Sequence, residues 1–153
     1  MILRLVHPGS AAKGPLDEAA RDYQARLSRH LRIDEVWLKP SRRAEADLAL
    51  AEEAERIAAT VKERDHLVLL DRTGTATSSE RLAGRLQAWM GEGHHAVVFA
   101  LGSAHGLHDA LRKPGVERLS FGPLTLPHDL ARVVLWEQLY RALTIVRGEP
   151  YHK

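Results

Sequence analysis

The chain contains no cysteine, so it holds neither a disulfide framework nor a zinc site built on thiolates. It also lacks a long apolar run: the longest, residues 97–101, is far shorter than the roughly 20 residues that a membrane helix needs. No apolar stretch near the N-terminus has the flanks of a signal peptide. These absences predict a cytoplasmic protein that is not inserted into a membrane.

Net charge and aromatic side chains are also scarce. The formal net charge is only +2 at pH 7, and Phe, Trp and Tyr make up 5% of the residues. Apolar residues at 44% and charged residues at 27% are ordinary for a globular protein. A chain of 153 residues fits a single domain, residues 1–153, with a sizeable core.

The charges that are present are unevenly distributed. Residues 1–43 carry nine Lys and Arg against five Asp and Glu, whereas residues 44–63 carry two against six. A basic face attracts phosphates, but a solvated helix surface has the same composition. Charge alone therefore leaves RNA binding and an ordinary surface as alternatives.

Short apolar runs alternate with segments in which apolar residues recur every three or four positions. Strands are predicted at residues 2–6, 33–38, 66–71, 95–101 and 118–121. Helices are predicted from Pro15 to Leu31, at residues 48–61, 82–89 and 107–112, and from His128 or Asp129 onward. Thr77 and Glu80 have the spacing of a capping box before the third helix. This alternation predicts an α/β fold with an open, mostly parallel sheet and helices on both faces.

Three loops follow strands of the predicted sheet, at residues 70–74, 102–106 and 121–127. In parallel α/β sheets, ligands bind outside the carboxyl ends of the strands. Gly102 and Gly122 lie in two of these loops, where glycine lets the backbone approach a ligand closely. The sequence therefore predicts a ligand site here; the alternative is that both glycines only end strands.

Other kinds of site are excluded by the residues present. His94, His95, His105 and His108 lie near one another in the sequence, but no cysteine or well-spaced carboxylate completes a metal shell around them. No Gly-Lys-Ser/Thr follows a glycine run, so there is no P-loop, and no Gly-x-Ser-x-Gly elbow is present for acyl transfer. We expect no metal.

Three blocks of sequence carry a resemblance to a known family. They are Leu70-Asp71-Arg72-Thr73-Gly74, Gly102-Ser103-Ala104-His105-Gly106, and the C-terminal run with Leu124-Thr125-Leu126-Pro127-His128, Arg132, Glu137-Gln138-Leu139-Tyr140-Arg141-Ala142 and Arg147-Gly148-Glu149-Pro150-Tyr151-His152-Lys153. The third block is the specific one. In these blocks, and in element order over nearly the whole chain, the sequence resembles the bacterial large-subunit ribosomal RNA methyltransferases that act on N3 of a pseudouridine, small members of the SPOUT class.

The resemblance implies a fold and a cofactor site. It implies a trefoil knot formed by the C-terminal half, a feature that residue spacing does not show. It also implies that S-adenosyl-L-methionine is the cofactor. The residues of this chain that match the cofactor site of the family are Leu70, Gly102, Phe121, Gly122, Pro123, Leu124, Thr125 and Leu126.

The second block departs from the family pattern at two positions. Ser103 stands where the family commonly has a second glycine, and His105 stands where an acidic or amide residue is common. If Ser103 needs an unusual backbone angle, the loop is strained and Ser103→Gly would tighten cofactor binding.

The closing helix and tail supply the predicted catalytic residues. N3 of a pseudouridine is an imide nitrogen that is mostly protonated at neutral pH, so transfer needs a proton acceptor, for which His128 and His152 are alternatives. Arg132 and Arg141 would stabilise the developing anion, or else be solvent-facing charges. Tyr151 and its neighbours would stack on a base, or else form a disordered end.

These expectations combine into one function, with two alternatives. The chain is predicted to methylate N3 of a pseudouridine in 23S ribosomal RNA on the assembled ribosome. Its closing helix is apolar on more than one face, which favours the homodimer of the family. The alternatives are a SPOUT methyltransferase acting on another RNA such as a transfer RNA, and a non-catalytic RNA-binding α/β module.

Overall fold

The computed structural model describes residues 1–10 and 13–153. In this part of the chain the sheet strands are β1 (Ile2–Pro8), β2 (Arg32–Leu38), β3 (His66–Ala76), β4 (Ala96–Leu101) and β5 (Glu117–Ser120). The α-helices are α1 (Pro15–Ser28), α2 (Ala46–Thr60), α3 (Ser79–Gly91) and α4 (His128–Arg147), and a 3₁₀ turn spans Asp109–Leu111. The predicted order of elements is confirmed.

The five strands form one sheet in the order β2-β1-β4-β3-β5, and every adjacent pair is parallel. All six residues of β4 are buried, as its uninterrupted apolar sequence predicts. Neighbouring residues of the strands point to opposite faces, so Leu5 and Phe99 pack on one side while Val6 and Val98 pack on the other. The sheet is therefore covered on both faces.

The two faces are covered by different helices. Buried residues of α1, α3 and α4 pack together against one face, with Trp89 and Trp136 among the largest fully buried side chains. Ala54 and Ile57 of α2 and Leu111 of the 3₁₀ turn cover the other. The predicted α/β class with helices on both faces is confirmed, whereas the trefoil knot stays a prediction from the resemblance.

Strand β3 is longer than the sequence predicts. It continues to Ala76, and its pairing with β5 changes register between Leu70 and Thr75. Within this irregular stretch Asp71 accepts hydrogen bonds from the backbone and hydroxyl of Thr73, and Gly74 packs directly against the backbone of Arg118. Residues 70–74 are thus an irregular part of the strand and not the loop that was expected.

The start of α3 differs from the predicted capping box. Ser78, not Thr77, is the N-cap, because its hydroxyl accepts a hydrogen bond from the backbone of Arg81. The carboxylate of Glu80 instead contacts His152, 3.0 Å away, so it is drawn toward the C-terminal tail. The prediction at Thr77 was wrong by one residue because spacing alone cannot choose between adjacent hydroxyl side chains.

Candidate active site

A cavity of about 600 Å³ opens where β3, β4 and β5 end. All three predicted segments line it: residues 70–72, residues 101–106 and the loop that leads into α4. Its size is within the range of cavities that hold small-molecule ligands. The position is the one expected of a ligand site in a parallel α/β sheet.

Most of the predicted cofactor residues meet at this cavity. Those that line it are Leu70, Gly102, Phe121, Gly122, Leu124, Thr125 and Leu126. Pro123 is exposed and is the one predicted residue that does not contribute to the lining. Leu124 is 77% exposed, so an apolar side chain stands at the cavity rim without cover in the single chain.

Gly102 sits too close to its neighbours for any other residue. A Cβ at this position would overlap the backbone carbonyl of Gly106. The loop is closed by the backbone N–H of Gly106, which donates to the carbonyl of Ser103 at 2.9 Å. Glycine is therefore required here by the close approach of two backbone segments and not only as the end of a strand.

Ser103 does not strain this loop. In the part of the chain that the structure describes, no residue other than glycine has a positive φ, and Gly106 carries the left-handed angle, at +88°. Ser103 therefore occupies a backbone conformation open to any residue. The strain considered for this departure from the family pattern is not found.

His128 links the cavity to a buried polar cluster that the sequence did not suggest. It lines the cavity as the first residue of α4, and its Nε2 lies 3.1 Å from Nδ1 of His7. His7 is fully buried, its ring centroid is 3.7 Å from that of Trp37, and its Nε2 is 3.2 Å from Oε1 of Glu35. The only sequence signal for this cluster is that polar residues interrupt β1 and β2.

Arg132 belongs to the same cluster. Its side chain is 3% exposed, donates to both carboxylate oxygens of Glu35 at 2.6 and 2.8 Å, and donates to Asp17 at 2.8 Å. Burial lowers the pKa of Arg132, but the two carboxylates outweigh it and raise that pKa overall. The alternative of a solvent-facing charge was wrong. Arg132 does not line the cavity, and its catalytic role stays a prediction.

The remaining predicted catalytic residues form a second cluster. Arg141 donates to Oε1 of Glu137 at 2.6 Å and lies over the ring of Tyr151, 4.8 Å from its centroid. The hydroxyl of Tyr151 donates to the same carboxylate oxygen at 3.1 Å, and His152 Nδ1 is 3.5 Å from Arg141. Tyr151 and His152 are half-buried, so the tail packs against α4. The alternative of a disordered end was wrong.

The comparisons with known proteins decide the family. Residues 1–152 match a family model described as a predicted SPOUT methyltransferase. The chain belongs to this family. It is 41% identical to the ribosomal RNA large subunit methyltransferase H of Gemmatimonas aurantiaca over 100% of both chains. It is 36% identical to the protein of the same name from Caldicellulosiruptor saccharolyticus, over 99% of this chain and 100% of that one.

A solved structure agrees on the fold. The SPOUT methyltransferase chain superposes on a probable methylase family protein from Haemophilus influenzae with a TM-score of 0.56 and 16% identity. The match covers 99% of this chain and 70% of that one, which supports the fold alone. Together with the family and the names of its relatives, the α/β architecture makes this protein a methyltransferase.

In this SPOUT methyltransferase the cluster that contains His128 and the cluster that contains Arg141 lie at different positions along α4. His128 is its first residue, and Arg141 lies thirteen residues further along. At 1.5 Å per residue, their backbones are about 20 Å apart. The cavity and the Arg141–Tyr151–His152 cluster therefore do not form a continuous site within one chain.

Asp71 is a charged residue of the cavity that the sequence did not single out for a role. It is buried, and it accepts from Nε of Arg112 at 2.7 Å as well as from Thr73. Burial raises the pKa of Asp71, but these hydrogen bonds and the Arg112 charge outweigh it and hold that pKa below its usual value. Asp71 is thus an ionised group that fixes the cavity wall.

Three of the four histidines considered as metal ligands have other partners, and the fourth, His105, lines the cavity. His94 contacts Glu92 at 2.8 Å and His95 contacts Asp65 at 3.1 Å, while His108 caps the 3₁₀ turn by accepting from the backbone of Ala110. Over residues 1–10 and 13–153, no group of three His, Asp or Glu side chains is arranged to hold a metal ion. Within the same residues, no helix has both the length and the apolar character needed to cross a membrane.

Proposed function

We propose that this protein transfers the methyl group of S-adenosyl-L-methionine to N3 of a pseudouridine in 23S ribosomal RNA. The observation that carries the proposal is end-to-end similarity to proteins named ribosomal RNA large subunit methyltransferase H, at 41% and 36% identity. A ribosomal RNA substrate would also support the proposed cytoplasmic location, because ribosomes work there. The site geometry described above is consistent with each step.

The cavity suits S-adenosyl-L-methionine by size and lining. Its backbone segments come together at Gly102, which has no room for a side chain, so main-chain groups are available to the adenosine. Leu70, Gly102 and residues 121–126 would hold the cofactor, with Pro123 acting through the backbone of its loop. The bound cofactor would supply a methyl group on a sulfonium. The protein would hold the cofactor and the methyl acceptor in the orientation needed for transfer and would provide a proton acceptor.

The chemistry needs one proton removed and one methyl group moved. As N3 forms its bond to the methyl carbon, the carbon–sulfur bond breaks and its electron pair stays on sulfur, which gives S-adenosylhomocysteine. The N3 proton passes to a base, for which we propose His128, one of the two imidazoles, with His105, that line the cavity. His152, brought by a second copy of the chain, is the alternative base.

A homodimer would unite the two clusters. Because about 20 Å of α4 separates His128 from Arg141 in one chain, we propose that a second copy places its own Arg141, Tyr151 and His152 beside this cavity. The exposed Leu124 at the rim and the half-buried Val133 and Val146 of α4 supply apolar surface for such a contact. Sedimentation that shows a monomer at micromolar concentration would contradict the dimer.

The tail then completes an RNA site. Tyr151 offers an aromatic face and Lys153 a positive charge, which suit an unstacked base and its phosphate. Removal of residues 151–153 should abolish methylation while cofactor affinity, measured by calorimetry, is retained. Full activity of the truncated protein would overturn this role of the tail.

The substrate is proposed to be the assembled ribosome. A net charge of +2 supplies little general attraction for bare RNA, so shape-specific contacts with an assembled particle are needed. Turnover should therefore be higher on ribosomes than on protein-free 23S RNA. Equal turnover on both would contradict the preference.

One experiment tests the whole proposal. Ribosomes from a strain without this modification are incubated with the protein and S-adenosyl-L-methionine, and their nucleosides are analysed by mass spectrometry. N3-methylpseudouridine is the expected product. Cofactor binding without a new methylated nucleoside would move the substrate to another RNA, such as a transfer RNA. If the protein neither binds the cofactor nor forms a methylated nucleoside, a non-catalytic RNA-binding module would be favoured.

A further inference from the structure

His7 has no part in the cavity lining, yet it is joined to it through His128. It is the next-to-last residue of strand β1, is fully buried, and its Nδ1 is 3.1 Å from Nε2 of His128. The two ring planes are inclined by only 15°, with their centroids 4.9 Å apart, and the ring of Trp37 packs against His7 with its centroid 3.7 Å away. A fully buried imidazole has a restricted set of protonation states, because the groups around it decide whether a proton at either nitrogen is stabilised.

The surrounding charges fix which nitrogen of His7 carries its proton. Nε2 of His7 lies 3.2 Å from Oε1 of Glu35, at an angle that does not satisfy a hydrogen bond. A lone pair at this nitrogen would face a carboxylate oxygen, whereas an N–H there is attracted to it. The proton of neutral His7 therefore belongs on Nε2, which leaves Nδ1 as a hydrogen-bond acceptor.

This tautomer determines the tautomer of His128. If Nδ1 of His7 accepts, the contact of 3.1 Å requires Nε2 of His128 to donate. The remaining nitrogen of His128, Nδ1, then carries the lone pair. Oδ1 of Asp129 lies 3.5 Å from that nitrogen, but this contact is longer than the 3.2 Å between His7 and Glu35, and the Asp129 side chain is 43% exposed against 13% for Glu35. The more buried carboxylate of Glu35 therefore decides the tautomers of the neutral pair, and a proton taken up at Nδ1 of His128 gains Asp129 as a partner.

The cluster also keeps His7 neutral. Burial lowers the pKa of His7 below 6.5, and the charges of His128 and Arg132 act in the same direction, against the opposing effect of Glu35. The charged groups that face the histidine pair are Glu35 from β2, Arg132 and Asp129 from α4, and Asp17 from α1 through Arg132. A neutral His7 is the state in which Nδ1 can accept.

We propose that His7 is a positioning residue that holds His128 as the tautomer protonated at Nε2, so that Nδ1 of His128 receives the proton of the methyl acceptor. His7 touches neither substrate nor cofactor and acts only through His128. The relation is the one by which a carboxylate orients an active-site histidine, with the Glu35–His7 pair in the place of the carboxylate. This inference rests on the proposed function for the identity of the proton donor.

The tautomer can be read without any activity. Long-range ¹H–¹⁵N correlation spectra of the ring nitrogens of the wild-type protein at pH 8 should show His128 protonated at Nε2. His7→Asn keeps an acceptor oxygen close to the position of Nδ1 and should preserve this tautomer. His7→Leu removes the acceptor and should give a mixture. A wild-type His128 protonated at Nδ1 would overturn the proposal even if no variant folds.

The pH profile distinguishes positioning from a structural role. In His7→Leu, single-turnover methylation of ribosomes should fall by about tenfold or more. The acidic limb of its pH–rate profile should also move to lower pH, because the protonated His128 loses an acceptor for Nε2. His7→Asn should restore the wild-type limb. If the rate of His7→Leu falls by the same factor at every pH and the acidic limb of its pH–rate profile does not shift, His7 contributes only to packing.

The two proposals fail in different ways. Wild-type protein that forms no methylated nucleoside on ribosomes, while His128 is protonated at Nε2, contradicts the proposed function and leaves the geometry of the pair intact. Wild-type protein that methylates ribosomes with His128 protonated at Nδ1 contradicts the positioning role and leaves the function intact. Cofactor affinity of both His7 variants, measured by calorimetry, should equal that of the wild type.

Discussion

Arg132 and Glu35 are joined by two parallel hydrogen bonds, from Nε and Nη2 of the guanidinium to the two carboxylate oxygens, at 2.6 and 2.8 Å. This pair connects α4, which begins at the cavity, to β2 at the edge of the sheet. Gln24 of α1 donates to the same carboxylate at 2.7 Å. The first turns of α4, whose first residue His128 lines the cavity, are thus tied to the sheet by charges that do not themselves line it.

Removal of one partner should destabilise the fold. Arg132→Leu leaves Glu35 with little solvent and without its guanidinium, which costs about 3 kcal/mol in the free energy of unfolding. Arg21→Ala is the control, because the Arg21 side chain is 66% exposed and its partner Asp17 keeps the guanidinium of Arg132, so a loss of about 0.5 kcal/mol is expected. Urea denaturation measures both, and equal losses in the two variants would contradict a structural role for the buried pair.

The stability of the fold should fall in acid because of Glu35. Burial raises the pKa of Glu35, but hydrogen bonds from Arg132 and Gln24 and the charge of Arg132 outweigh it and hold that pKa well below 4.5. The unfolded chain therefore binds a proton first as the pH falls, so this contribution is complete above 4.5 and is lost below it. The difference in free energy of unfolding between wild type and Glu35→Gln should shrink from pH 7 to pH 3. A constant difference over that range would contradict the assignment.

The loop at Gly102 should reject even the smallest side chain. Gly102→Ala forces a Cβ into the carbonyl of Gly106, so we expect the affinity for S-adenosyl-L-methionine to fall by about tenfold or more, or at least about 1.4 kcal/mol. The matched control is Gly84→Ala in α3, where a Cβ meets nothing within 4 Å and alanine favours the helix. Calorimetric titration of both variants with S-adenosyl-L-methionine tests this. An unchanged affinity in Gly102→Ala would show that the loop can shift to accommodate the Cβ without loss of binding.

Replacement of Ser103 should have little effect. Because Ser103 has an ordinary φ, Ser103→Gly relieves no strain, and the affinity for S-adenosyl-L-methionine should stay within about twofold of the wild type. The same calorimetric titration measures it. A clear gain in affinity would mean that the serine side chain itself hinders the cofactor.

The ring of Tyr151 should matter more than its hydroxyl. Tyr151→Phe loses the hydrogen bond to Glu137 at 3.1 Å, a cost of about 1 kcal/mol, and keeps the face that Arg141 covers. Tyr151→Ala loses the face as well. We expect methylation of ribosomes to persist in the first variant and to be lost in the second, with thermal denaturation as the control for folding. Equal loss in both would assign the hydroxyl a direct role.

Several features of this protein followed from the sequence alone. Periodicity gave the order of strands and helices, because an apolar run such as β4 and the spaced apolar residues of α3 each reflect local geometry and burial. The loops that line the cavity were also predictable, since parallel strands end at one edge of a sheet. The family, and the residues that we propose for the cofactor, came from motifs that lie within single loops or one helix.

Only the tertiary structure decided the partners of the charged residues. Arg132 meets Glu35 across 97 positions of sequence, and His7 meets His128 across 121, because the sheet order brings β1 and β2 to the start of α4. Local spacing carries no information about such contacts, so Arg132 could be expected in solvent although it is buried.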